Sequence, residues 1–338
     1  MKRIAIIGAG GWGTALSIVA GRAGHDVRLW ARSRNVAEEI NRERINSAYL
    51  ARQLIPENVS ATTDLTGALR GAESVVLAAP SHATRSVLER VMRDASGEMI
   101  FVSATKGIEA ETGRRISEIV TDESAGCFVP RFVCLSGPSF AQEVAAGQPT
   151  AVVAASADER WSRTVQSDFS HQNFRVYTND DVVGTELGGA VKNVIALAAG
   201  IVGGLGLGAN SIAALITRGL AEMARLATAQ GARPETLMGL AGLGDLVLTC
   251  TGELSRNRHV GQELGRGRSL EEILAGMNEV AEGVMTTRAV NQLATRLGIE
   301  MPITSSVHAV LYEGRRAREA AEGLMARPLR GEFEGSRF

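Results

Sequence analysis

Lysine is nearly missing from this chain of 338 residues. Of 36 basic residues only Lys2, Lys106 and Lys192 are lysines, which leaves 36 − 3 = 33 arginines. Where arginine serves as the generic cation, the two internal lysines become suspects for work that needs an amine. A desolvated amine can lose its proton; a guanidinium in practice cannot. Cysteine is also scarce. Cys127, Cys134 and Cys250 form no CxxC and no His-paired spacing, which argues against a disulfide framework and a metal site and fits a reduced, cytoplasmic setting. The net charge is −1, so no overall field draws in nucleic acid or an anionic membrane. Low-complexity tracts and internal repeats are absent. Residues 1–20 imitate a signal peptide, but GAGGWG cuts the apolar run. Residues 193–217 carry no charge, but Gly203, Gly204, Gly206 and Gly208 break them, which argues against a membrane span.

What is present begins with a nucleotide-binding unit. RIAII (3–7) reads as a strand, GAGGWG follows, and TALSIVAGRAG reads as a helix. Strand, GxGxxG and helix in that order are the context the motif requires. Gly8 makes the turn, Gly10 lets a pyrophosphate approach the backbone, and Gly13 lets helix and strand pack closely, with the helix N-terminus facing the anion. The second strand, DVRLW (26–30), leads into Ala31-Arg32-Ser33-Arg34. An NAD-selective site places an acidic residue near this point; a cation suits the 2′-phosphate of NADP. Arg32 therefore favours NADPH/NADP, with NADH/NAD also accepted.

Strand-like runs recur at 58–62, 74–80, 99–105, 132–137, 150–156 and 174–178, with helical stretches such as 82–94 and 111–122 between them. That alternation predicts a parallel, doubly wound sheet. Ligands sit at the carboxyl ends of such strands. Three polar clusters fall there: Ser81-His82, Thr105-Lys106-Gly107 and Ser136-Gly137-Pro138-Ser139. After about 185 the strand signal stops and helix-length patterns take over. The expected division is a dinucleotide-binding domain over 1–185 and a helical, substrate-binding domain over 186–338.

The stretch from Leu187 to Thr217 holds one charge, Lys192. On a helix Lys192 shares a nearly bare face with Gly188, Gly189, Ala196 and Ala199, where a ligand or another backbone can come close. The alternative is a lysine that snorkels to the surface. Further on, Gly242–Thr251 reads as irregular and glycine-rich, with Asp245 alone in it; a buried carboxylate wants a cation or several hydrogen bonds. Ser255-Arg256-Asn257 offers a hydroxyl, a guanidinium fork and an amide in a row, a natural phosphate clamp.

GAGGWGTAL, ATKGIE, SGPSFAQEVAAGQPT, LGGAVKNVIALAAG, AGLGDLVLTCT and SRNR resemble, in that order, the NAD(P)-dependent glycerol-3-phosphate dehydrogenase family of the bacterial soluble type. The resemblance runs from about 3 to 320. It implies an N-terminal Rossmann domain and an all-α C-terminal domain of the 6-phosphogluconate-dehydrogenase-like kind. It implies reversible hydride transfer between NAD(P)H and dihydroxyacetone phosphate, supplying glycerol 3-phosphate for phospholipid synthesis, in a cytoplasmic homodimer. By motif it makes Lys192 the proton-transferring residue and puts Lys106 on substrate and cofactor. Gly137 and Ser139 lie along the substrate, and Asp245, Ser255, Arg256 and Asn257 complete its site. Gly8, Gly10, Gly11, Trp12, Gly13 and Ala141 fall to the cofactor, which Arg256, Val280 and Glu282 also reach. The family often has Ser where Gly11 stands; the backbone N–H remains. A ketopantoate-type reductase is the rival enzyme reading, against which the phosphate-suited clamp argues. A dinucleotide sensor without turnover is the rival outside enzymes, against which intact Lys106, Lys192 and Asp245 argue.

Overall fold

The computed structural model describes residues 1–277, 281–329 and 331–332. The chain divides into two compact units: Met1–Thr105 with Ile116–Val182, and Lys106–Arg115 with Val183–Phe338.

The first unit is built on one eight-stranded sheet. Its strands are β1 (Arg3–Ile7), β2 (Asp26–Trp30), β3 (Val59–Thr62), β4 (Ser74–Leu77), β5 (Ile100–Ser103), β6 (Arg131–Ser136), β7 (Thr150–Ala155) and β8 (Phe174–Asn179), in the order β3-β2-β1-β4-β5-β6-β7-β8. All eight expected strands form, within a few residues of the expected bounds. β4 and β5 are buried along their whole length, which is why they read as unbroken apolar runs. The order reverses beside β1, with β2 on one side (Arg3↔Asp26) and β4 on the other (Ile4↔Ser74). That crevice is where an open parallel sheet takes a ligand.

One expectation fails in the sheet. β7 runs antiparallel to β6, with Cys134 opposite Ala155. The connection between them holds only the five-residue helix Ala141–Ala145. Such a helix spans about 7.5 Å, far short of the ~20 Å of a six-residue strand, so it does not return the chain to the starting edge. The expected helix over 111–122 also shortens, to Ile116–Ser124. Gly113, at φ +73°, and the backbone bonds between Glu109 and Gly113 and between Glu109 and Arg114 turn the chain just before it.

In the second unit the described secondary elements are helices, apart from an isolated bridge between Ile108 and Arg115. The unit packs around the helix Val182–Gly204, in which every residue from Gly184 to Ile201 is buried. This is the one described single helix long and apolar enough to cross a membrane, and 83% of its most apolar window lies inside the protein. The segment expected to be irregular is instead ordered: a π-helical turn, Leu240–Gly244, runs into the helix Asp245–Thr251, and a further helix covers Arg256–Gly265. The glycines that signal a loop here serve close packing. A Cβ on Gly242 would collide with the Leu237 carbonyl, and one on Gly188 would lie 2.6 Å from the Ala241 oxygen.

Candidate functional site

In the first unit the GAGGWG turn follows β1 and opens the helix Gly11–Arg22. Gly8 sits at φ +121°, and a Cβ there would lie 2.9 Å from the Ala78 carbonyl oxygen. A Cβ on Gly13 would collide with the Gly8 carbonyl, so helix and turn meet backbone to backbone. A Cβ on Gly10 would meet nothing within 4 Å. Gly10 is also the N-cap and offers no side-chain cap to the helix's first N–H groups, those of Gly11 and Trp12 among them. The Trp12 indole N–H is buried without a hydrogen-bond partner among the described residues. An open approach over Gly10, uncapped backbone donors and a helix N-terminus fit the pyrophosphate of a dinucleotide.

Arg32 stands exposed two residues beyond the end of β2, while Arg34 is paired with Glu38 one turn along its own helix. Gly137, directly after β6, has φ +133°, and Ser139 donates its hydroxyl to the Gly137 carbonyl at 2.9 Å. Ala141 opens the short helix that follows. His82 is exposed in the 3-10 turn Ser81–Ala83.

The second unit holds the titratable cluster. Lys192 lies halfway along the Val182–Gly204 helix and is 5% exposed, so it does not snorkel. Asp245, 1% exposed at the start of its helix, bridges the two internal lysines: Oδ1 accepts from Lys192 Nζ and Oδ2 from Lys106 Nζ, both at 2.7 Å. Thr249, one helical turn beyond Asp245, accepts from Lys192 Nζ at 2.7 Å and donates to the Asp245 carbonyl at 2.6 Å. Sequence reasoning missed Thr249. The i, i+4 spacing from Asp245 is its signal, but only once the segment is known to be helical.

Burial pushes the Lys192 ammonium down; Asp245 opposes that and the Lys106 charge adds to it, leaving its pKa lowered from 10.5 to about 8. Burial by itself would raise Asp245, but the Lys106 and Lys192 charges outweigh it and hold the carboxyl below its ordinary value. The result is an ionised carboxylate beside an amine that can change charge near neutral pH. Cys250 is buried, and burial pushes its thiol up to about 12, so it is no thiolate nucleophile.

The three clamp residues are placed differently. Ser255 is the N-cap of Arg256–Gly265, and its oxygen accepts from the Arg258 N–H at 3.2 Å. Asn257 is 8% exposed; its amide donates to Asn193 Oδ1 at 3.0 Å and accepts from the Gly283 N–H at 2.9 Å. Arg256 alone of the three is exposed. Glu282 opens the helix Glu282–Leu297. Val280 lies outside the described residues.

A sequence model described as the NAD-dependent glycerol-3-phosphate dehydrogenase N-terminus matches residues 3–162, and one described as the C-terminus of the same enzyme matches 181–322. The chain is 56% identical over 330 residues to a glycerol-3-phosphate dehydrogenase [NAD(P)+] of Koribacter versatilis, covering 97% of this chain and 98% of that one. It is similar to a crystal structure of glycerol-3-phosphate dehydrogenase from Coxiella burnetii, with TM-score 0.92, 43% identity, and coverage of 96% of this chain and 99% of that one. A ketopantoate reductase from Ralstonia eutropha aligns at TM-score 0.58 and 17% identity over 94% of this chain and 99% of that one, a likeness of fold alone.

Proposed function

The chain belongs to the NAD-dependent glycerol-3-phosphate dehydrogenase family, and from that premise we propose how its residues interconvert dihydroxyacetone phosphate and glycerol 3-phosphate. It is an oxidoreductase that uses NAD(P). The observation that carries the mechanism is the buried Lys192 amine, held by Asp245 and Thr249 with its pKa lowered to about 8.

When bound, the nicotinamide supplies or takes up the hydride at C2 of the substrate. Everything else falls to the chain. In reduction the Lys192 ammonium polarises the ketone oxygen and gives it a proton; in oxidation the neutral amine removes the proton of the C2 hydroxyl. Asp245 and Thr249 aim Nζ and keep Lys192 from turning away. Lys106, tied to the other Asp245 oxygen, adds positive charge for the anionic substrate and the nucleotide. Gly137 and Ser139 line the substrate, and Ala141 and Glu282 the cofactor. Gly8, Gly10, Gly11, Trp12 and Gly13 cradle the pyrophosphate, and Arg32 meets the 2′-phosphate of NADPH. Arg34, already paired with Glu38, contributes less. Residues 1–185 serve as the nucleotide-binding domain and 186–338 as the substrate-binding domain, with the correction that Lys106–Arg115 and the residues from Val183 on fold with the second unit. The product serves glycerophospholipid synthesis in the cytoplasm, and the enzyme works as a homodimer.

Arg256 anchors the substrate phosphate. Its support is position: it is the exposed member of the clamp, between the N-cap Ser255 and the buried Asn257, and its fork suits two phosphate oxygens. Arg256→Ala should lower kcat/KM for dihydroxyacetone phosphate by ~10²–10⁴ and leave the poor turnover of unphosphorylated dihydroxyacetone nearly unchanged. An unchanged ratio between the two substrates removes Arg256 from the phosphate. Some rise in KM for NADPH accompanies the loss, since Arg256 also reaches the nucleotide.

A further inference from the structure

Two helices of the second unit, Val182–Gly204 and Arg256–Gly265, each carry a pair of glycines four residues apart: Gly200 and Gly204 on one, Gly261 and Gly265 on the other. The pairs face each other. A Cβ on Gly200 would collide with the Arg258 carbonyl and lie 2.8 Å from Gly261 Cα, and one on Gly261 would collide with the Leu197 carbonyl and lie 2.9 Å from Gly200 Cα. One turn further, a Cβ on Gly204 would lie 2.9 Å from Gly265 Cα, and one on Gly265 would lie 2.9 Å from Gly204 Cα. The backbones therefore touch over two successive turns, the close crossing that small-xxx-small patterns permit. Larger side chains would hold two helices apart at the usual spacing. Glycine is the poorest helix former after proline, so four in helical positions indicate that closeness itself is required.

The same two helices meet at a second point. Asn257 donates to Asn193 Oδ1 and accepts from the Gly283 N–H, and both asparagines are buried. A Cβ on Gly283 would lie 2.7 Å from both the Asn193 carbonyl oxygen and Asn257 Oδ1, so this junction is as tight as the crossing. Asn193 follows Lys192 in sequence, and Asn257 follows Arg256. Along the helices, Gly200 is about 12 Å from Lys192 and Gly261 about 7.5 Å from Arg256. Two rods touching at one place and bonded at another, beside each functional cation, have no freedom to change the offset between Lys192 and Arg256.

We propose that the Gly200/Gly204–Gly261/Gly265 crossing and the Asn193–Asn257 bridge act together as a ruler, setting the length of substrate accepted between its carbonyl and its phosphate. The proposal rests on the reading of Lys192 as proton carrier and Arg256 as phosphate anchor. The four glycines are positioning residues that act through the helices they join and need not touch the substrate, while Asn193 and Asn257 enter the ruler through the bond that ties the two helices together. A Cβ at the crossing must drive the helices apart before ordinary contact is restored, and an opening of that order suits a substrate one methylene longer.

The test compares kcat/KM, with NADPH and the full chain, for dihydroxyacetone phosphate and for its homologue with one more methylene between ketone and phosphate. Gly261→Ala should lower the preference for the shorter substrate at least tenfold, through a larger loss of the short substrate than of the long one. Equal losses for both substrates, with a lower melting temperature, would mean that the glycines only pack, and the ruler falls. If Gly261→Ala does not fold, Gly265→Ala, whose Cβ would lie 2.5 Å from the Ile201 carbonyl oxygen one turn further along the crossing, should shift the same preference in the same direction. An unshifted preference there also overturns the proposal. Failure of the underlying reading looks different: wild-type enzyme would then turn over dihydroxyacetone as well as its phosphate. A wild type that needs the phosphate, with variants that keep their length preference, overturns the ruler alone.

Discussion

Lys192 is buried beside one carboxylate and near a second lysine, and these neighbours act in opposite directions on its charge. Burial and Lys106 favour the neutral amine, while Asp245 favours the ammonium; burial wins, and the pKa falls from 10.5 to about 8. The sign for catalysis follows. Below about pH 8 the ammonium dominates, so kcat/KM for ketone reduction should be level there and fall above it. Oxidation of glycerol 3-phosphate needs the amine, so its kcat/KM should rise with pH and level off above about 8. A reversed pair of profiles would take the proton-carrier role away from Lys192. Lys192→Ala should lower kcat by ~10²–10⁴ with little change in NADPH affinity. Lys192→Arg should not restore it, because a guanidinium keeps its proton. At this scale the sequence is informative: with three lysines in the chain, the two internal ones stand out, and both prove to share Asp245. Thr249 and Asn193 do not stand out, since one threonine or asparagine in a helix looks like any other until its partner is known.

Among elements, the helix Pro302–Tyr312 starts at Met301, which provides no side-chain cap. Glu222, buried on the helix Ala209–Ala229, takes that part. Its carboxylate accepts from the Ile303 N–H at 2.6 Å, from the Thr304 N–H at 3.1 Å and from the Thr304 hydroxyl at 3.1 Å. Burial raises the Glu222 carboxyl above its ordinary value although these donors pull it down. Glu222→Ala leaves two backbone donors buried without an acceptor and should cost about 2–4 kcal/mol in urea unfolding. Glu222→Gln keeps an acceptor oxygen and should cost less. An Ala variant as stable as wild type would show that the cap does not stabilise the fold. Element existence was largely legible: eight strands and the long helices follow from apolar runs and periodicity. The helices at 245–251 and 256–265 were not, because glycines at 242, 244 and 252 read as turns when seen along the chain. Their purpose is contact across the chain, as Gly242 against Leu237 illustrates.

For the whole molecule, the proposed homodimer needs a surface that a second copy can cover. Met238, Leu243, Val247 and Leu254 are 62%, 37%, 41% and 42% exposed, and the middle two are one helical turn apart. The short helix Pro234–Leu237 and the helix Asp245–Thr251 that flank them both contact Ala209–Ala229, whose residues 209–218 include none that is buried and no charge before Arg218. The uncharged stretch 209–217 can meet its own copy without like-charge repulsion, as a two-fold interface requires. Leu243→Glu combined with Leu254→Glu should turn dimers into monomers in sedimentation equilibrium. A monomeric wild type would remove the homodimer, and a dimeric double variant would move its interface elsewhere.

The sequence by itself determined the order of the parts: a glycine-rich turn between strand and helix, a sheet that ends near 180, a helical remainder, and two lysines in a chain that otherwise uses arginine. These are local properties, written in periodicity, turn chemistry and composition. Only the tertiary structure decided that β7 runs against β6, that Asp245 is shared between Lys106 and Lys192, and that Asn257 joins Asn193 instead of standing open beside Arg256. Each of these depends on residues more than fifty positions apart or on the direction in which a strand runs beside its neighbour. Burial and close backbone contact set such choices, and neither exists until the chain has folded.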